Sequence, residues 1–249
     1  MSFPRAIARS SVLTTLTLMA SAACSSSSST TTNTPQDPGV TAGGDETPQG
    51  RETNPYGVAY PTAGIGFKAR NDPASQSAGD KIKNYKFLGY IDSDKGKGLQ
   101  TISLADLYDP EMKQFKLIHV SVAGVWCTWC IQEVHNVVPL VPQLKDKKVI
   151  FLTALSEDLK HGPAKQTDLD YWVDVHRTNY TQVLDPGNRN LGPFFTSAGI
   201  PWNGNIDART MEILSSSTGA PVGVDNQVDI MGDVQPWLDW IDAHPIGAK

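Results

Sequence analysis

Apolar positions between residues 85 and 155 fall into runs of strand length separated by turn residues, and between and after these runs they switch to helical spacing. Residues 85–91 (YKFLGYI) have strand composition, residues 92–98 are rich in Asp, Lys and Gly, and residues 99–102 return as a partner strand, so a hairpin is predicted. Ser103 is placed to cap a short helix over 104–107. Residues 117–122 make a buried strand. Beyond it Ile131, Val134, Val137 and Val138 recur three and four apart, which predicts a helix from near Cys127 that Pro139 and Pro142 bend or end. A second apolar run at 149–155 follows, and a helix between two such strands calls for parallel pairing through a βαβ unit. Thr167 with Asp170 reads as a capping box ahead of Leu169, Trp172, Val173 and Val175. Residues 183–184 are a short strand, and 203–207 with 211–215 flank a turn at 208–210 as an antiparallel hairpin. The last helix, 230–243, puts Val234, Trp237, Leu238 and Ile241 on one face.

The amino terminus has a different pattern. Arg5 and Arg9 precede an apolar stretch at 12–20 that is too short to span a bilayer, and small residues lead to Cys24, so residues 1–24 read as a lipoprotein-type signal with Cys24 as the lipidation site. Ser21 stands where such signals usually carry Leu or Val, and an ordinary signal-peptidase cut near Ala23 is the alternative. Residues 25–55, rich in Ser, Thr, Pro and Gly, are expected to be a disordered tether. Residues 56–79, with Tyr56, Tyr60 and Phe67 among glycines and prolines, suggest an irregular arm lying against the domain. Residues 80–249 suffice for one compact domain. The net charge of −5, with lysines and arginines scattered, argues against nucleic acid as a partner. Any membrane contact is expected through the lipid.

Among three cysteines, Cys127 and Cys130 form a Cys-x-x-Cys pair at a strand-to-helix junction. A thiol there faces unpaired backbone N–H groups and the positive end of the helix dipole, which favour thiolate. Thiols so placed titrate at roughly 3.5 to 7 instead of about 8.5. This is the chemistry of thiol-disulfide exchange, with Cys127 at the exposed helix end as nucleophile and Cys130, one turn in, as resolver. Two other readings stand beside it. A zinc or copper carrier would draw on His119 and His135, but a second Cys-x-x-Cys is missing and His135 lies about 140° round the helix from Cys130. A binding module would use the pair only as a structural disulfide. Ile131 after Cys130 excludes c-type haem attachment. Glu133, three residues beyond Cys130, falls on the same helical face, where its carboxylate would oppose thiolate formation; a solvated helix face is the alternative. Trp126 is an apolar rim for a partner or a packing residue. His161, His176 and His244 read as surface residues.

The order β, α, β, α, β, β, α with a dithiol opening its first helix resembles the thioredoxin fold. More narrowly, residues 84–243 resemble the TlpA and ResA type of membrane-tethered thiol-disulfide oxidoreductases. The matching pieces are 102–107 (ISLADL), 126–130 (WCTWC), Glu133, 183–185 (VLD) and 199–201 (GIP) followed by Ile206 and Asp207. The resemblance implies an α/β architecture, a central mixed sheet flanked by helices, extended here by the amino-terminal β-hairpin. It also implies a cis bond before Pro201 facing the dithiol, with Ile200 free to pair with a client's backbone; an ordinary loop proline is the alternative. In the ResA-like branch a glutamate at the spacing of Glu133 belongs to the active site, and Ser121 occupies the place of a buried Asp in thioredoxins. Thr128 and Trp129 depart from relatives that carry Pro between the cysteines, so the redox potential does not transfer. A peroxiredoxin motif is missing around either thiol. The implied protein is exported and lipid-anchored, facing the periplasm or cell exterior. It exchanges dithiol for disulfide with client proteins and an upstream donor or acceptor, with no cofactor or metal beyond the cysteine pair.

Overall fold

The computed structural model describes residues 48–195 and 199–246. The predicted signal segment, Cys24 and most of the predicted tether lie outside the described residues. Seven strands form one mixed sheet: β1 (Lys86–Tyr90), β2 (Gln100–Ser103), β3 (Leu117–Gly124), β4 (Val149–Glu157), β5 (Thr181–Leu184), β6 (Trp202–Asp207) and β7 (Ile213–Thr218), in the order β2-β1-β5-β4-β3-β6-β7. The β3–β4 and β4–β5 pairs are parallel; β1–β2, β1–β5, β3–β6 and β6–β7 are antiparallel. Helices α1 (Thr128–Asp146), α2 (Gln166–His176) and α3 (Ile230–Ala243) complete the thioredoxin-like fold, with the β1–β2 hairpin extending the sheet beyond β5.

Strand β3 is buried at every position, as a central strand covered on both faces must be. Its side chains alternate. Ile118, Val120 and Val122 join a core built with Tyr85, Phe87, Leu104 and Trp202, while Leu117 joins the core made by α1 and α3 with Val137, Leu144, Trp237 and Leu238. His119 and Ser121 share the parity of Leu117 and so place polar groups under the helices. Contacts to the domain begin ahead of Tyr56. Asn54 is buried, donates to the Tyr108 carbonyl and accepts two backbone N–H groups, which ties residues 54–58 down earlier than composition predicts. The Tyr60 hydroxyl donates to the Ile82 carbonyl, and the Arg70 guanidinium meets Glu212.

Three local expectations need correction. Helix α1 runs through Pro139 and Pro142 to Asp146. Pro142 cannot donate to the Val138 carbonyl, and Asn179 Nδ2 takes that acceptor at 3.2 Å. Burial of Val141 between the prolines and of Leu144 beyond them favours continuing the helix. Helix α2 starts before Thr167: Asp168 accepts the Lys165 N–H at 2.8 Å, whereas Asp170 accepts the Tyr90 hydroxyl. Val175 points outward instead of packing. At the short 3₁₀ segment Leu104–Leu107 Ser103 is the N-cap as expected, and Asp106 accepts both its N–H and its hydroxyl.

Candidate active site

The chain leaves β3 at Gly124 and enters α1 four residues later. Val125 N–H donates to the Glu157 carbonyl at the end of β4, and Cys127 N–H to the Gly124 carbonyl, which fixes a tight turn. A side chain at position 124 would meet Ile200 Cδ1 at 2.9 Å and Trp126 Nε1 at 3.0 Å, so glycine is what lets both approach the turn. Cys127 is the N-cap of α1, and its Sγ accepts the Cys130 N–H at 3.1 Å. The two sulfurs are bonded to each other. The Ile200–Pro201 peptide is cis, and the Ile200 carbonyl oxygen lies 3.8 Å from Cys127 Sγ.

Both cysteines are buried, Cys127 3 % and Cys130 1 % exposed, so the expected exposed nucleophile is corrected for this disulfide-bonded state. The difference between the two lies in position. Cys127 carries the capping role at the helix start and faces the Ile200 carbonyl, while Cys130 sits in the first turn. Trp126 and Trp129 stand exposed on either side of Cys127. Trp126 is held in place: its indole N–H donates to Glu157 Oε2 at 2.7 Å and its ring lies 4.3 Å from that of His161. A cavity of about 260 Å³ lined by Phe115, Val141, Leu144, Val149, Phe151 and Tyr180 includes neither cysteine. The disulfide has two exposed aromatic side chains next to it in sequence, Trp126 and Trp129.

Glu133 is buried on α1, 2 % exposed. Ser121 Oγ donates to its Oε2 at 2.8 Å and Asn203 Nδ2 to its Oε1 at 2.7 Å. Burial pushes its carboxyl up to about 7, against the pull of the Asn203 and Ser121 hydrogen bonds and with a further push from Asp233. A carboxyl so placed takes or gives a proton near neutral pH. The solvated-face alternative does not describe this residue.

The histidines invoked for a metal centre are otherwise engaged. His119 is fully buried with its ring nitrogens 2.9 Å from Asn205 Oδ1 and Asn203 Oδ1. His135 faces His176 across α1 and α2 at 3.4 Å, not Cys130. Among the described residues no group of three or more His, Cys, Asp or Glu is arranged to hold a metal ion. His176, expected at the surface, is half-buried against Trp172. Asn203 and Asn205 were not singled out from sequence. The available signal was a polar pair at alternating positions of β6, matching the polar pair His119 and Ser121 in β3.

No protein-family model matches the sequence, and curated proteins give no match. Solved structures do resemble it. A hypothetical protein from Sinorhizobium meliloti 1021 is 13 % identical with a TM-score of 0.50, over 70 % of this chain and 90 % of that one. An uncharacterized conserved protein from Geobacillus kaustophilus is 14 % identical with a TM-score of 0.50, over 71 % and 88 %. The thioredoxin domain of a thiol-disulfide oxidoreductase from Bacteroides vulgatus is 16 % identical with a TM-score of 0.47, over 66 % and 99 %. At these identities the likeness is one of fold. Among the described residues no helix is long and apolar enough to cross a membrane.

Proposed function

We propose that this protein is a thiol-disulfide oxidoreductase that exchanges electrons with client proteins through Cys127 and Cys130. The observation that carries the reading is the bonded pair at the start of α1, its first sulfur accepting a helix N–H and facing the cis Ile200–Pro201 peptide. When a client thiolate attacks Cys127 Sγ, a new client–Cys127 disulfide forms, the Cys127–Cys130 bond breaks and Cys130 leaves as thiolate. Protonated Glu133, one turn along the helix, supplies the proton that converts this thiolate to thiol. The client's second thiol gives its proton to the Glu133 carboxylate, attacks the mixed disulfide and departs as client disulfide. Cys127 is released as a thiolate that the helix start stabilises. Two electrons and two protons pass from client to pair once Cys127 is protonated from water; the same steps in reverse reduce a client disulfide.

Trp126 and the Ile200 backbone are assigned to client docking. We place the domain outside the cytoplasm, tethered by lipid on Cys24 to a membrane, on the signal-like residues 1–24 and the polar stretch that follows. Wild type should then partition into detergent and Cys24→Ala should not; a water-soluble wild type with a free amino terminus removes the anchor from the proposal.

The exchange reading is tested by trapping. Cys130→Ser leaves the mixed disulfide without an internal resolving thiol, so client complexes should accumulate and survive non-reducing electrophoresis, at least tenfold above Cys127→Ser. Equal trapping by both variants would reverse or erase the division of labour. Trapping by neither would leave a structural disulfide.

A further inference from the structure

A row of five polar side chains crosses the interior from the dithiol helix to the start of α3. Glu133 on α1 accepts from Asn203 on β6, Asn203 meets His119 on β3, His119 meets Asn205 on β6, and Asn205 donates to Asp233 Oδ2 on α3 at 2.6 Å. The antiparallel register brings this about, since Asn203 stands opposite Ser121 and Asn205 opposite His119.

The amide orientations in this row are fixed by the Gly219 carbonyl beside Asn203 and the Asp233 carboxylate beside Asn205, neither of which has a hydrogen to give. Asn203 Nδ2 lies 2.7 Å from Glu133 Oε1 and 3.2 Å from the Gly219 carbonyl oxygen, so its NH₂ faces that way and its oxygen faces His119 Nε2. Asn205 Nδ2 lies 2.6 Å from Asp233 Oδ2 and 2.9 Å from Ser215 Oγ, so its oxygen faces His119 Nδ1. An amide oxygen has no hydrogen to give. Each ring nitrogen of His119, 2.9 Å from such an oxygen, must therefore carry its own hydrogen, and a ring with both is an imidazolium. Its surroundings suit a cation: Asp233 Oδ2 is 3.6 Å from Nδ1, and Phe151 from β4 stacks on the ring at 4.4 Å. Tyr180, just ahead of β5, is a further titratable group facing this interior; its hydroxyl meets Thr153 at 3.1 Å and burial keeps it neutral.

We infer that His119 is a buried imidazolium and a positioning residue for the dithiol chemistry, acting through Asn203 to favour the ionised form of Glu133, so that Glu133 can release its proton to the leaving Cys130 sulfur. This rests on the exchange reading for its purpose, though not for its structure. The client thiolate supplies the electron pair that breaks the Cys127–Cys130 bond, Glu133 supplies the proton, and the cation offsets the carboxylate left behind in a buried site. Asp233, partly open to solvent, closes the row on the other side.

Nitrogen-15 NMR of the full-length oxidised protein at neutral pH tests the structural half. Two His119 ring N–H signals in slow exchange with water are expected; a single ring N–H, the mark of a neutral tautomer, overturns the proposal. Asp233→Asn, a change at a partly exposed residue that the fold should tolerate, removes the flanking carboxylate and should bring a neutral His119 ring into the spectrum; a spectrum identical to wild type would also count against it. The coupling is read from the carboxyl carbon of Glu133. In His119→Gln its titration midpoint should rise by about one pH unit, a tenfold gain in proton affinity, and Asn203→Leu should raise it in the same direction. The pH at which the dithiol–disulfide equilibrium changes slope should move with it. An unmoved Glu133 midpoint in His119→Gln, whatever Asn203→Leu does, makes His119 merely structural and ends the proposal. Two ring protons and a shifted midpoint in a protein that traps no client would leave the inference standing and remove the exchange reading instead.

Discussion

Two buried carboxylates lie toward opposite ends of the β3–β6 strand pair, Asp207 on β6 and Glu133 on α1, and they are treated in opposite ways. Asp207, at the end of β6, receives Arg209 as a fork: Nε lies 2.9 Å from Oδ1 and Nη2 2.8 Å from Oδ2. The guanidinium's remaining nitrogen donates to the carbonyls of Ile241 and His244, so one cation closes the hairpin turn and caps the last turn of α3. Glu133, near the other end, has no guanidinium or ammonium against it among the described residues. It accepts from a hydroxyl and an amide, and the His119 ring stands one amide away. A carboxylate met by a guanidinium fork that also holds two carbonyls of another element serves architecture. One that is held by neutral donors keeps its proton within reach, and that is what exchange chemistry beside a dithiol needs.

The sharpest way to break this comparison is to remove the cation from the first site. Arg209→Ala strands a buried carboxylate and frees two helix carbonyls, and the expected loss is about 3–5 kcal/mol in urea unfolding, similar at pH 5 and pH 8. Disulfide exchange per folded molecule should stay within twofold of wild type. A loss below about 1 kcal/mol would mean that the fork contributes little to the architecture.

Glu133→Gln should do the reverse, changing pH dependence more than stability itself. Because the folded carboxyl is pushed from its ordinary 4.5 up to about 7, the folded state binds this proton more tightly than the unfolded chain does. The stability it contributes is therefore present below pH 4.5 and lost as pH rises through 7. Two and a half pH units at 1.36 kcal/mol each make that loss about 3 kcal/mol. The glutamine variant should lack this slope, so the gap in unfolding free energy between wild type and variant should change by about 3 kcal/mol across the interval. Parallel profiles would show that Glu133 titrates alike in both states.

How much of this was legible in the sequence divides along the same line. The βαβ order, both hairpins, α3 and the dithiol at a helix start are written in local periodicity, because each depends on residues a few positions apart. Glu133 could be placed near Cys130 for the same reason. Its partners could not: Ser121 and Asn203 reach it from 12 and 70 residues away, through a strand register that no local pattern specifies. Arg209 looked like a turn residue, and its function as the cap of α3 depends on carbonyls more than thirty residues on. The prolines of α1 misled for a related reason. The carbonyl left open by Pro142 is satisfied by Asn179, a distant side chain, so the usual cost of breaking the ladder is reduced where only tertiary structure can reveal it.

The smallest change separates the two sites most cleanly. Ser121→Ala removes one donor from Glu133 and leaves its burial and Asn203 in place. A hydroxyl donated to a charged acceptor is worth more than one donated to a neutral group, about 1.5 kcal/mol against about 1 or less. The lost bond should therefore be felt mainly where Glu133 is ionised. Above pH 7 the variant should be less stable by about 1.5 kcal/mol, and below pH 5, where the carboxyl is protonated and can donate elsewhere, the deficit should shrink to a few tenths. The same change should carry the Glu133 midpoint further up, since a donor that lowered it is gone. Urea unfolding at three pH values measures both. A deficit independent of pH, like the one expected for Arg209→Ala, would place Ser121 and Glu133 in the same architectural class as Asp207 and Arg209 and dissolve the contrast.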